Sequence, residues 1–314
     1  MKKMISVIMM TVIVVAMLTA CSTKALVDYN NAVVKTDSEK MGKESMEIKI
    51  DVDYNTEGLS LEKVTQLNHY KEMMFNITNQ YDMTREKIAT DIYMNFGGIG
   101  MDSYFYKDRD KEYIQIPVLK KYVKLDEKKL TTNKYDKIFA NVSDKWLELL
   151  GEENVLKGEN TIIDTRDGQV KAKEVSIKIS AEQLKDLSEE IFKSIKEGKI
   201  IEDFIFITEN RDNQDDIDKK EIMKRIDEIL ERVVFDNFEA KAYIDFDGYL
   251  IREKMTIEMS MDDQEKGEPM SIKVSIDKTN WDIGKKQEIN IPKFNDEDII
   301  ELDELKNIDN IIGL

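Results

Sequence analysis

Side chains able to do covalent chemistry are scarce in this 314-residue chain, which holds one cysteine, Cys21, and one histidine, His69. A hydrolytic triad needs an imidazole to orient a serine, and no serine stands in the strained Gly-x-Ser-x-Gly turn that would present one. His69, followed by Tyr70 near the start of a predicted strand, reads as an ordinary surface or sheet-face residue. One histidine and one cysteine cannot supply the nitrogen and sulfur donors of a zinc site. The acidic run Asp212-Asn213-Gln214-Asp215-Asp216-Ile217-Asp218 has isoleucine where a calcium loop needs its sixth-position glycine, so it reads as a solvated loop that starts a helix. Gly97-Gly98-Ile99-Gly100 lacks the lysine and helix start of a phosphate loop and reads as a hairpin turn. Among so many carboxylates no glycosidase pair stands out. The residues therefore predict a non-enzyme with no metal and no cofactor.

Cys21 matters through its position. Lys2 and Lys3 form a short positive region, Met4 to Leu18 is almost wholly apolar, and Thr19-Ala20 places small residues before the cysteine. That is the layout of a secretory signal peptide with a cleavage site. The Leu-Thr-Ala-Cys ending also resembles the lipobox of bacterial lipoproteins, which implies a diacylated Cys21 as the first mature residue. Two acyl chains suffice for stable attachment. An uncleaved anchor is the other reading, although Met4 to Ala20 is at the short edge of a bilayer span. With Cys21 the only cysteine, no intramolecular disulfide can form, and stability must come from core burial.

The formal charge of −17 deepens by two when Lys2 and Lys3 leave with the leader. Such a surface is repelled by nucleic acid, so no nucleic-acid partner is expected. A hydrophobic share of 41% is enough for a sizeable core and excludes a disordered stalk.

The elements that position these residues follow from periodicity. Residues 22–45 carry a weak helical stripe of Leu26, Val27, Val33, Val34 and Met41, a tether that becomes a first helix. From Met46 the period is two, with Met46, Ile48, Ile50, Val52 and Tyr54 alternating with charged residues, as in a half-buried antiparallel strand. Further strands are predicted at 70–81, 88–96, 101–106, 112–116 and 121–125. Helical stripes follow at Tyr135–Leu149 and Leu184–Ile195, separated by a hairpin around Arg166-Asp167-Gly168. The second helix is opened by the capping box Ser180-Ala181-Glu182-Gln183. A helix over 216–235 precedes strands at 240–246, 249–261, 270–276 and 288–291. The tail from Phe294 is acidic, with Ile299, Ile300, Leu302 and Leu305 predicting a short helix. Strands segregated from helices predict an α+β domain, helices covering one face of an antiparallel sheet. The expected boundaries are 1–20 for the signal, 21–45 for the lipidated first segment, 46–292 for the domain and 293–314 for the tail.

The stretch Ser103-Tyr104-Phe105-Tyr106-Lys107-Asp108, then Tyr113-Ile114-Gln115-Ile116-Pro117 and Lys121-Tyr122-Val123-Lys124-Leu125, is distinctive. So are Ala242 to Leu250, the methionine-bearing strands, and Ile289-Asn290-Ile291-Pro292. With the lipobox, these resemble Gram-positive lipoproteins related to the LolA/LppX superfamily. The resemblance implies a curved antiparallel half-barrel whose concave face is packed with helices, with an apolar cavity and no catalytic residues. On that fold the lining would come from Ile92, Met94, Phe105, Met255, Ile257 and Met259 of the strands and Ile138, Phe139, Leu184, Leu187 and Ile191 of lid helices. Methionine suits such a lining because its side chain adapts to varied apolar shapes. The expected partners are the membrane through diacylglyceryl-Cys21, on the outer face of the cell membrane, and a lipid or other apolar ligand. The alternative is a packed core that recruits a protein partner in the envelope, for example in sporulation or germination.

Overall fold

The computed structural model describes residues 24–116, 121–125, 132–197, 224, 228, 232–261 and 270–301. Its frame is one sheet of twelve strands: β1 (Met41–Tyr54), β2 (Glu72–Asp82), β3 (Lys87–Phe96), β4 (Ile99–Asp108), β5 (Lys111–Ile116), β6 (Lys121–Leu125), β7 (Val155–Thr165), β8 (Gly168–Ile177), β9 (Val233–Asp245), β10 (Leu250–Met261), β11 (Met270–Trp281) and β12 (Ile299–Glu301). The order across the sheet is β12-β6-β5-β4-β3-β2-β1-β11-β10-β9-β8-β7, and it does not close on itself. Every pairing is antiparallel except the parallel β12–β6.

Four helices described along their whole length accompany the sheet, α1 (24–37), α2 (Leu61–Asn68), α3 (Thr132–Leu149) and α4 (Ala181–Glu197), and among the described residues 224, 228 and 232 are helical as well. This corrects the α+β half-barrel expected from the sequence. Strand residues far outnumber helical ones, the sheet is open, and the fold is mostly β. The helical stripes at 135–149 and 184–195 are real, but with α1 they cover a patch over β7–β10 and form no layer across the sheet. The buried cluster there joins Ala25, Tyr29, Ala32 and Val33 of α1 to Leu184 of α4, with Val175, Ile177, Phe238, Ala240, Ala242 and Ile244 of the sheet. Trp146 of α3 packs against it, its ring 5.8 Å from that of Phe238.

Local chemistry explains most boundaries. The capping box holds as drawn, because Gln183 N–H donates to Ser180 Oγ at 3.2 Å and Ser180 N–H to Gln183 Oε1 at 3.0 Å. The first helix buries Ala25, Tyr29, Ala32, Val33 and Thr36, whereas Val27 and Val34 of the expected stripe are half or more exposed. Small alanines let α1 approach the sheet closely, and Val27 and Val34 are left outside.

Two expectations near the carboxyl end are overturned. Residues 288–291 form no strand; they belong to an irregular strap that crosses the sheet. Ile299 to Glu301 form the parallel strand β12, not a helix, because the β-branched Ile299-Ile300 pair fits the open edge of β6, where Ile300 is fully buried; Leu302 and Leu305 lie outside the described residues. The strap is fixed along its way by Gly284 N–H to Met41 O at 2.8 Å, by Arg85 donating to Gln287 O, and by Phe294. The Phe294 ring centroid lies 4.4 Å from Tyr113 and 4.6 Å from Tyr122.

If α4 is core and not a movable lid, Leu184→Ala should destabilise the whole domain by about 2–5 kcal/mol. Urea unfolding followed by circular dichroism checks this. A lower midpoint with an unchanged slope is expected, whereas an unchanged midpoint would mark α4 as a dispensable cover.

Candidate functional site

Strand alternation and register define two faces. On the face that carries the helices the residues fall into rows. One row runs Met255–Ile276–Ile48–Phe75–Met94–Met101, and the next runs Ile257–Val274–Ile50–Met73–Phe96–Ile99. Beyond them lie Met259–Ile272–Val52 and Met261–Met270–Tyr54. In the other direction the rows become polar. Glu253–Lys278 is followed by Met46, Ile77 and Ile92, and the row after that runs Asn280–Glu44–Asn79–Thr90–Phe105.

The sequence therefore places Ile92, Met94, Phe105, Met255, Ile257 and Met259 on one face, and all six are half-buried there. The helical candidates divide. Leu184 is fully buried in the core cluster, and Leu187 and Ile191 are half-buried on α4. Ile138 and Phe139 lie in α3, but their side chains fall outside what the structure describes, as do Cys21 and the 212–218 acidic run. His69 is exposed in the turn after α2. Its backbone is what the fold uses: Gly97, at φ +55°, packs so tightly that a Cβ there would lie 2.7 Å from His69 Cα.

Sequence reasoning missed a buried polar cluster at the edge of the apolar rows. Tyr29 O–H donates to Glu253 Oε1 at 2.9 Å, and Trp146 Nε1–H donates to the Tyr29 oxygen at 3.0 Å. Burial, and then the Glu253 charge, hold the Tyr29 phenol well above its usual range. Burial also raises the Glu253 carboxyl, against the downward pull of the Tyr29 hydrogen bond and of Lys278. A ladder continues beside it: Lys278 Nζ lies 3.6 Å from Glu44, Asn79 donates to Glu44 at 3.2 Å, and Thr90 donates to Asn79 at 3.2 Å. The available signal was phase, since Glu253 occupies the apolar register of Met255, Ile257, Met259 and Met261.

A cleft of about 560 Å³ opens on the opposite face of the sheet, where Lys49, Asp51, Met74 and Asn95 stand, and Asn68, Lys71 and Glu72 complete its lining. A smaller one of about 270 Å³ lies between α4 and β9, lined by Ile179, Leu184, Phe235 and Phe238. Among the described residues no cluster of three His, Cys, Asp or Glu could hold a metal ion, and no helix is long and apolar enough to cross a membrane.

No protein-family model matches the chain, and no curated protein does. Among solved structures it is similar to the outer membrane protein OprG from Pseudomonas aeruginosa, at 6% identity over 77% of this chain and 95% of that one, with a TM-score of 0.09. A TM-score so low carries no argument about fold or function.

The Glu253 shift has a defined sign. Its folded pKa lies above its unfolded one, so the folded state holds more protons between the two, and stability falls as pH rises through that window. Glu253→Gln keeps an acceptor for Tyr29 and removes the buried charge. Melting temperatures measured from pH 4.5 to pH 8 should show a flatter pH dependence and a more stable variant at neutral pH. A variant less stable than wild type at every pH would contradict this account.

Proposed function

We propose that this chain is a non-catalytic, lipid-anchored protein of the outer face of the cell membrane that binds a lipid or similar apolar ligand on the helix-bearing face of its sheet. The observation that supports it is the contrast along that face. Under the helices Val175, Ile177, Phe238, Ala240 and Ala242 are fully buried. In the rows beyond, from Met255 and Ile257 across to Met94 and Met101, every apolar side chain except Ile99 is only half-buried, and Ile99 is exposed.

Burial of an acyl chain contributes about 0.8 kcal/mol per CH₂, so even partial coverage of such a surface favours binding. Four of the residues in these two rows are the adaptable methionines Met73, Met94, Met101 and Met255, and Met259 stands in the row beside them. A thioether surface reshapes around chains of varied length at little cost. Lipidation of Cys21, read from the leader, would put the protein where such ligands are abundant. The kinship with LolA/LppX-like lipoproteins belongs to the same proposal.

The test is titration of the full chain with dansylaminoundecanoic acid, followed by fluorescence. Saturable binding is expected, weakened about tenfold, or about 1.4 kcal/mol, by Met94→Gln combined with Met259→Gln. Circular dichroism of the variant verifies the fold. No saturable binding by the wild-type chain would sink the reading and favour a surface that recruits a protein.

A further inference from the structure

The helix that follows the proposed anchor is fixed to the body. Ala25, Tyr29, Ala32 and Thr36 of α1 are each at most 5% exposed. Besides the Tyr29–Glu253–Trp146 bonds, Leu250 N–H donates to Thr36 Oγ1 at 2.8 Å, and Lys35 donates to Asp247 O while its ammonium sits 4.0 Å from the Tyr249 ring centroid. Loss of α1 would leave the buried Leu250 N–H without an acceptor, which is costly. A flexible stem would carry none of these bonds.

These contacts also set its direction. From Tyr29 to Thr36 and on to Glu39, the partners run from Glu253 back to Leu250 and Tyr249. The helix is thus antiparallel to β10, and its carboxyl end lies at the end of the sheet that holds the 246–249 turn. Its amino end points the other way, along the helix-bearing face towards the apolar rows. Only Ser22 and Thr23 separate Cys21 from Lys24. Three Cα–Cα steps span at most about 11 Å, whatever path they take.

The two faces differ in what they could meet. The opposite face bears ion pairs: Arg252–Asp277 at 2.6 Å, Lys273–Glu258 at 3.0 Å and Lys241–Glu174 at 2.9 Å. On the helix-bearing side Ile99 is 62% exposed at the end of an apolar row, and Val27 is 50% exposed near the amino end of α1. The amino end of a helix carries partial positive charge, and Lys24 adds to it, so this end suits anionic headgroups where the body as a whole does not.

We propose that the helix-bearing face is the membrane-facing side of the molecule, with acylated Cys21 seating the amino end of α1 and the neighbouring apolar rows on the lipid surface that takes its acyl chains. The inference rests on the lipid-anchored reading above and adds an orientation to it. A ligand would then pass from bilayer to sheet without crossing bulk water.

The test uses the full lipidated chain in vesicles of phosphatidylcholine and phosphatidylglycerol. Acylation consumes the Cys21 thiol, so a single introduced cysteine is the only one free to take a fluorophore. Labels at Val27→Cys and Ile99→Cys should transfer energy to a headgroup-labelled acceptor lipid several-fold more efficiently than labels at Phe246→Cys, on the turn end, and Asp91→Cys, on the opposite face. A long Gly-Ser insertion between Thr23 and Lys24 should abolish the difference. Equal transfer at all four sites, or the reverse order, overturns the orientation. Native mass spectrometry of the same chain separates the two ideas: a gradient with no bound lipid keeps the orientation and removes carriage, and bound lipid with no gradient does the opposite. A chain that fails to float with the vesicles overturns both.

Discussion

The structure depends on the pairing of β1 with β11. Twelve residue pairs, from Lys43 with Trp281 to Tyr54 with Met270, join the first long strand of the chain to the last. On one side of this seam lies the β2–β6 meander, and on the other the hairpins β7–β8 and β9–β10 with their helices. Without it the chain would be two sheets, each with a bare hydrogen-bonding edge. Because a strand alternates strictly, the seam also forces one phase on both halves, so that Ile48 and Ile50 align with Ile276 and Val274. That shared phase is why the apolar rows run unbroken from β10 to β4. Such a distant pairing is slow to form, because the closure entropy of the intervening chain is lost before the contacts are gained.

Strand positions were largely legible because their signal is local. Alternation located β1, β3, β10 and β11 within a few residues, and the Asp-Gly turns located the hairpins. Fold class was not legible in the same way. The helical stripes were read correctly as helices, but nothing in a stripe tells how much of a sheet it covers. That is set by strand count and order, which depend on pairings more than 200 residues apart. Helix α2 was missed because it is short and mostly exposed: Leu61, Val64 and Leu67 recur at helical spacing, but three apolar positions over eight residues are a weak signal.

The candidate site was legible as a face and not as a set of contacts. Alternation put Met94, Met255 and Met259 on one side, and the register confirms that they share it. The helical residues were harder. Leu184 and Leu187 look alike in sequence, yet one is core and the other half-buried, a distinction set by tertiary packing. The Tyr29–Glu253 bond spans 224 positions and left only one trace, a glutamate in an apolar phase. A carboxylate placed there is held by one phenol and by the helix that brings it, so the polarity of the face and the docking of α1 are a single feature.

The two rims of the sheet are protected by different means. At one, the chain lays its own Ile299-Ile300-Glu301 along β6, with Phe294 wedged among three tyrosines, so those backbone groups already have partners. At the other, β7 is the last strand, and among the described residues no strand pairs with its outer edge. It carries an irregularity between Lys157 and Asn160, and Lys157, Glu159 and Asp164 stand out from it. Bulges and charges on a rim discourage a neighbouring molecule from adding a strand. If the chain is membrane-anchored as proposed, it is concentrated in two dimensions and meets copies of itself far more often than a protein in solution. An unprotected rim there would become a site of chain-to-chain polymerisation, and the tail that closes one rim is as much a solubility device as a structural one.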